Sequence, residues 1–181
     1  MKAEVEVKIL NVNVDEIRKK LKAVGAVFVA KQFFKRYTYN PGSRPENTGT
    51  WGRLRTDGEK TSLAVKIIEG SGLEDTKEIE VAVDDFKKTN KILGHLLITP
   101  KGYQENKREL WKLGDVEICI DWWPKIPAYL EIEAPNIESL KKTVGILGFE
   151  MEQTTTENTK DVFARYGIDI FKFEELRFQK K

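Results

Sequence analysis

Glu4, Glu6 and Lys8 alternate with Val5, Val7 and Ile9, and the same two-residue rhythm of charge and aliphatic recurs along the chain. Arg53 and Arg55 flank Leu54, Lys66 lies between Val65 and Ile67, and Glu78 and Glu80 flank Ile79. Further on, Glu117 and Asp121 alternate with Val116, Ile118 and Ile120, and Glu131 and Glu133 alternate with Leu130 and Ile132. Successive side chains on a strand point to opposite faces, so each segment carries one charged row and one aliphatic row. For any single strand the plain reading is a solvated outer face. Recurrence shifts that balance. Three segments carry doubled acids and two carry bases without acids, where a wet face would mix Lys, Glu, Thr and Ser for cross-strand pairing. If the sheet curls so that these rows face inward, the buried charges must be paired or bound to ions. The acids then offer oxygen ligands to a hard divalent cation, and the Arg and Lys groups grip phosphoryl oxygens. That inventory describes a polyphosphate site. Phosphoryl and nucleotidyl transfer is mainly positioning and charge neutralisation, so it requires no nucleophilic Ser, Cys or His.

The elements that must position these rows are legible as periodicities. Strand patterns span 2–10, 27–39, 51–56, 61–69, 74–83, 103–112, 115–122 and 128–134. Asp57-Gly58, Gly70-Ser71-Gly72 and Gly114-Asp115 mark tight hairpin turns. Ile17, Leu21 and Val24 form one stripe of a helix over 14–24, with Asn13 or Asp15 as cap and Gly25 as stop. Ile137, Leu140, Val144 and Leu147 repeat that stripe over 137–147, before Gly148. Weaker helical patterns cover 84–97, opening at Asp84 or Asp85, and 157–166. A faint internal repeat joins 4–29 to 131–153: a Glu-x-Glu strand, a helix, a Gly and another strand. The segment 40–50, rich in Pro, Gly, Asn and Thr, is expected to be a mobile loop. The order predicts an α+β fold with an antiparallel sheet.

Length and charge set the limits. The 181 residues favour one domain spanning 1–181, with the packing of the tail 168–181 left open. The 31 basic and 29 acidic residues nearly cancel to +2, so no global field recruits nucleic acid or anionic lipid, and any electrostatic function is local. A single cysteine, Cys119, excludes an internal disulfide framework and a thiolate metal cluster. No long apolar run or leader pattern is present, and the expectation is a cytoplasmic protein away from the membrane.

The sequence EVEVK at Glu4 to Lys8 resembles the Glu-x-Glu-x-Lys signature of the CYTH superfamily, which includes class IV adenylyl cyclases and thiamine triphosphatases. Further matches follow in that family's order: Arg53-Leu54-Arg55, Lys66 in LAVKIIE, Glu78 and Glu80 in TKEIEV, Arg108 in NKREL, Asp121 in EICID, and Glu131 and Glu133 in YLEIE. The resemblance covers residues 2–165. It implies a closed antiparallel β-barrel, an eight-stranded triphosphate tunnel with flanking helices. It also implies Glu4, Glu6, Asp121, Glu131 and Glu133 as ligands of Mg²⁺ or Mn²⁺. Lys8, Arg53, Arg55, Lys66 and Arg108 become phosphate ligands, and Glu78 and Glu80 orient the bases or bind a second ion. Of these, Glu4, Glu6, Lys8, Arg108 and Asp121 form the catalytic set. One departure stands out: many relatives carry a Lys two residues before the equivalent of Arg108, where this chain has Asn106, and Lys35 or Arg36 is the candidate substitute.

The expected partner is a nucleoside triphosphate or another triphosphate, with a homodimer left open. Chain length and C-terminal strand-helix order resemble the cyclase branch most closely, with thiamine, nucleoside or inorganic triphosphatase as the alternative. A non-catalytic nucleotide- or polyphosphate-binding module would need the cations far more than five candidate metal ligands. A plain structural domain with a wet face is disfavoured by the ordered motifs. His95, without ligand-type neighbours at coordinating spacing, reads as structural, Cys119 as filler facing the tunnel, and Trp122 and Trp123 as packing residues at a strand end.

Overall fold

A computed structural model describes residues 2–40, 49–69 and 76–179, with the side chains of residues 2–4 and 76 outside that description. The predicted Gly70-Ser71-Gly72 turn and most of the 40–50 loop lie outside the described residues. The described residues form these strands and α-helices in chain order: β1 Lys2–Ile9, α1 Val14–Ala23, β2 Val27–Tyr39, β3 Thr50–Thr56, β4 Thr61–Ile68, β5 Thr76–Ala82, α2 Phe86–His95, β6 Pro100–Leu113, β7 Val116–Trp122, β8 Tyr129–Ala134, α3 Ile137–Ile146 and α4 Thr159–Arg165. The tail adds a ninth strand, β9 Glu175–Leu176. The α-helices α1 to α4 lie within the four predicted helical segments, and their starts are written chemically. Asn13 accepts from the backbone N–H groups of Asp15 and Glu16, Asp85 from Lys88, and Asn136 from Ser139. Gly25 and Gly148 follow α1 and α3 with φ of +79° and +72°, the left-handed conformation glycine adopts without steric penalty. No described helix is long and apolar enough to cross a membrane.

The strands form one nine-stranded sheet in the order β2-β3-β4-β5-β1-β8-β7-β6-β9. Its pairings are antiparallel except β9, which runs parallel to β6. β2, at one end of that order, also pairs with β6, from Val27 opposite Lys112 to Tyr39 opposite Pro100. The main core lies between the helices and the aliphatic rows of β1, β7 and β8. Val5, Val7, Ile118, Ile120, Leu130 and Ile132 meet Ile17 and Leu21 of α1 and Leu140 and Val144 of α3. Burying each such side chain stabilises the fold by about 1.5–3 kcal/mol, so this face is fixed against water. A second cluster gathers Trp123, Tyr129, Val162 and Phe163 with Ile170 and Leu176 of the tail. The tail therefore packs on its own chain.

The repeat is half kept. Its two Glu-x-Glu strands, β1 and β8, pair with each other, and each is followed by a helix and a glycine. The second copy does not end in a strand: Met151–Gln153 form a 3₁₀ turn and Thr155 makes a single bridge to Lys8. A capping box between Glu150 and Gln153 favours the turn at that place.

Candidate functional site

Directly opposed residues in a sheet point to the same side, so pairing register decides which side chains meet. Glu6 stands opposite Glu133 and Lys8 opposite Glu131. Arg55 stands opposite Arg36 and Arg53 opposite Thr38. Lys66 opposes Glu78, and Ala64 opposes Glu80; Arg108 opposes Asp121. All the charged rows thus share one face, while Leu54 and the core aliphatics take the other. Glu6, Lys8, Arg53, Arg55, Lys66, Glu78, Glu80, Arg108, Glu131 and Glu133 line one cavity of about 440 Å³. Asp121 is fully buried but does not line it. Glu4 shares the strand phase of Glu6, and its side chain lies outside the described residues.

The charges are arranged in opposed sets. Lys8 Nζ is 2.8 Å from Glu6 Oε1 and 3.5 Å from Glu131 Oε2. Burial works against its charge, but Glu6 and Glu131 hold its pKa above the ordinary lysine value. Arg108 Nε donates to Asp121 Oδ1 at 2.8 Å, and its Nη2 donates to Asp121 Oδ2 and, at 2.7 Å, to Glu131 Oε1. Burial again opposes the charge, and Asp121 and Glu131 outweigh it. Glu131, between Lys8 and Arg108, is held well below the usual carboxylate range by those cations against the upward push of burial. Asp121 is pushed up by burial, against the pull of Arg108. Across the cavity Arg53 Nη2 donates to Glu78 at 2.7 Å and Glu80 at 3.1 Å, and Lys66 lies 3.4 Å from Glu78. Arg55 reaches Glu80 only at 3.9 Å, and burial, then Arg53 and Arg108, bring its pKa down to about 10.

Among the described residues, no three Asp, Glu, His or Cys side chains are grouped to hold a metal ion. The donor chemistry nevertheless fits one. Glu6, Glu131 and Glu133 bring only carboxylate oxygens to a common cavity, the donor type a hard divalent cation takes.

Several lining residues were missed by the sequence reading. Trp51 shares the inward phase of Arg53, two residues on, and the alternation alone could have placed it. Thr156 to Thr159 and Asp161 reach the cavity because Thr155 and Lys8 exchange backbone hydrogen bonds of 2.8 and 2.9 Å, a long-range contact with no local signal. Trp123 is a packing residue, edge-on to Phe163 with its Nε1 donating to the Tyr129 hydroxyl at 2.8 Å, and it also lines the cavity. Cys119 is buried on the inner face, its thiol pushed up by burial, and His95 is exposed in the last turn of α2. Of the two candidate substitutes for the absent lysine, Lys35 is exposed and Arg36 is buried against the cavity.

The CYTH domain family model matches residues 2–164, and the chain belongs to that family. Solved structures share the fold. The PH1012 protein of Pyrococcus horikoshii OT3 is 24% identical with a TM-score of 0.73, over 86% of this chain and 96% of its own. An adenylate cyclase candidate from Vibrio parahaemolyticus is 14% identical with a TM-score of 0.76, over 90% of this chain and 98% of its own. HpAC1 from Hippeastrum, an adenylyl cyclase candidate with a dominant triphosphatase activity, is 13% identical with a TM-score of 0.66, over 96% of this chain and 100% of its own. No curated protein sequence matches the chain.

Proposed function

We propose that this protein is a metal-dependent enzyme acting on triphosphates, of the class IV adenylyl cyclase type, converting ATP to cyclic AMP and pyrophosphate. The observation that carries the reading is the shared face: acids and bases scattered from residue 6 to residue 133 line one cavity. In this reading residues 1–181 are one domain and strands β1–β8 act as a closed tunnel, for which the long β2–β6 pairing is the support. Lys8, Arg53, Arg55, Lys66 and Arg108 bind and orient the triphosphate and neutralise charge developing on the leaving pyrophosphate. Glu78 and Glu80 hold Arg53 and Lys66 at the angle that presents them to phosphoryl oxygens. Asp121 does the same for Arg108 as a positioning partner. Glu4, Glu6, Glu131 and Glu133 would hold Mg²⁺ or Mn²⁺, with Asp121 as a further carboxylate, and the ion would supply charge neutralisation at the phosphoryl oxygens. In that reaction the 3′-hydroxyl oxygen of ATP bonds to the α-phosphorus and gives up its proton to solvent, while the bond from the α-phosphorus to the leaving pyrophosphate oxygen breaks.

The same residues would serve hydrolysis of a terminal phosphate, and the triphosphatase activity of the Hippeastrum neighbour favours keeping that second reading. Incubation with ATP, thiamine triphosphate and inorganic tripolyphosphate under Mg²⁺ or Mn²⁺ tests both. Cyclic AMP with pyrophosphate is the expected outcome, orthophosphate alone selects the triphosphatase, and no product from any of the three sinks the proposal. Activity should require Mg²⁺ or Mn²⁺, with Ca²⁺ a poor substitute because its looser coordination does not bridge phosphoryl oxygens compactly. Full turnover in excess chelator would contradict that.

A further inference from the structure

We infer that Arg36, on β2, is an additional phosphoryl-binding residue whose guanidinium stands against the neutral Asn106 of β6; this rests on the triphosphate reading of the cavity. Arg36 sits on the inner face between Arg55 of β3 and Gln104 of β6 and is only 8% exposed. Its company differs from that of every predicted cation around the cavity. Lys8, Arg53, Arg55, Lys66 and Arg108 each have a carboxylate within 4 Å, whereas no carboxylate among the described residues pairs with Arg36. Its Nη2 donates to the neutral side-chain oxygen of Asn106 at 2.5 Å, and its buried Nε has no partner. A buried guanidinium with an unanswered donor is costly unless an anion completes it.

Two further features fit anion capture better than passive packing. The Trp123 ring lies 4.2 Å from the guanidinium carbon, so the planar fork is held in place without a carboxylate occupying its donors. Burial, then Arg53 and Arg55, lower its pKa to about 9. Guanidinium does not surrender its proton in practice, so this unfavourable environment acts as destabilisation of the ligand-free fold, which a phosphoryl group would relieve. Arg36 also lines a smaller adjoining cavity of about 180 Å³ with Thr38, Trp51 and Gln104, so it stands where the two spaces meet. Asn106, donating to Asp121 at 3.5 Å, links Arg36 to the Arg108 side of the site.

The test is calorimetric binding of inorganic tripolyphosphate, without divalent cation, to wild type, Arg36→Gln and Arg36→Gln with Asn106→Lys, each checked by its melting curve. Arg36→Gln should weaken binding about 10- to 100-fold, the scale of one charge-assisted contact. Its ligand-free melting temperature should hold or rise. Adding Asn106→Lys should restore most of the affinity, an outcome a packing role would not produce. Wild-type affinity in Arg36→Gln overturns the Arg36 assignment alone, as does a loss matched by lower melting temperature and not recovered by Asn106→Lys. Absence of tripolyphosphate binding by the wild type overturns the triphosphate reading, and the assignment with it.

Discussion

On β1, β6, β7 and β8, buried cations are enclosed by acids: Lys8 lies between Glu6 and Glu131, and Arg108 between Asp121 and Glu131. On β2 and β3, Arg36 has no carboxylate among the described residues and Arg55 has one at 3.9 Å. The pKa directions follow the company. Glu6 and Glu131 raise Lys8, Asp121 and Glu131 raise Arg108, and in both cases they overcome burial. Burial and neighbouring arginines lower Arg36 and Arg55 to about 9 and about 10. One wall is therefore internally neutralised, and its order comes from its own ion pairs. The other keeps positive potential that only an incoming anion answers. Arg53 stands between these cases, on β3 but held by Glu78 and Glu80.

Breaking a pair on the neutralised wall should have the largest effect. Arg108→Ala leaves Asp121, 1% exposed in its side chain, as an unpaired buried carboxylate. We expect a stability loss of roughly 3–5 kcal/mol, together with loss of turnover. Melting curves check it, and Asp121→Asn added to Arg108→Ala should recover part of the stability. An unchanged melting point for Arg108→Ala would mean that this wall is solvated.

Leu54→Ala probes the opposite face of the strand that carries Arg53 and Arg55. Leu54 is fully buried, opposite Tyr37 and Leu63. Its truncation should cost roughly 2–5 kcal/mol while leaving turnover per folded molecule unchanged. Arg55→Ala should show the reverse, with turnover down on the order of 10²- to 10³-fold and a melting temperature that holds or rises. Arg53→Ala should lose turnover similarly but also some stability, because Glu78 and Glu80 lose their partner. If Leu54→Ala abolished activity at unchanged stability while Arg55→Ala stayed active, the faces would be reversed.

The alternation at Glu4 to Lys8, at Arg53 to Arg55 and at Glu131 to Glu133 was enough to locate the strands and, through the family resemblance, the charged face, because a period of two is a local property. The cap at Asn13 and the glycines at 25 and 148 located helix ends for the same reason. What alternation does not encode is company. Asp121 reads like Glu131 in sequence, yet it lies behind Arg108 while Glu131 faces the cavity. Arg36 stood in a stretch of β2 whose alternation is blurred by Phe33, Phe34, Tyr37 and Tyr39, so its inward phase needed the register with β3 and β6. The tail's place against Trp123 and Tyr129, and the Thr155 bridge that brings Asn158 to the cavity, are contacts between distant segments that no local pattern records.

Acid should act on the neutralised wall through Glu131. Its folded pKa lies below the unfolded value, so its stabilisation is fully present above the ordinary carboxylate pKa and is lost as pH falls through the folded value. Asp121, pushed up by burial, contributes with the opposite sign. From neutral pH down to about pH 5, melting temperature should therefore change little on account of Glu131, with its contribution lost only below about pH 4. Glu131→Gln should show a shallower decline in that acid window.

The smallest effect is expected from chelation of the ligand-free protein. If a divalent ion were a structural staple, removing it would leave Glu6, Glu131 and Asp121 as crowded, desolvated anions, and the fold would loosen. Their oxygens already lie against Lys8 and Arg108 at 2.5 to 3.5 Å, so charge balance on that wall does not depend on a metal. The melting curve of the ligand-free protein should accordingly superpose with and without chelator near neutral pH. Tripolyphosphate should raise the melting temperature in both conditions by engaging the other wall, and Mg²⁺ added with it should raise the temperature further by giving the carboxylates a second partner. Chelator-induced unfolding would show that the ion pairs of Lys8 and Arg108 do not by themselves neutralise their wall, and the contrast between the two walls would then have to be redrawn around a structural metal.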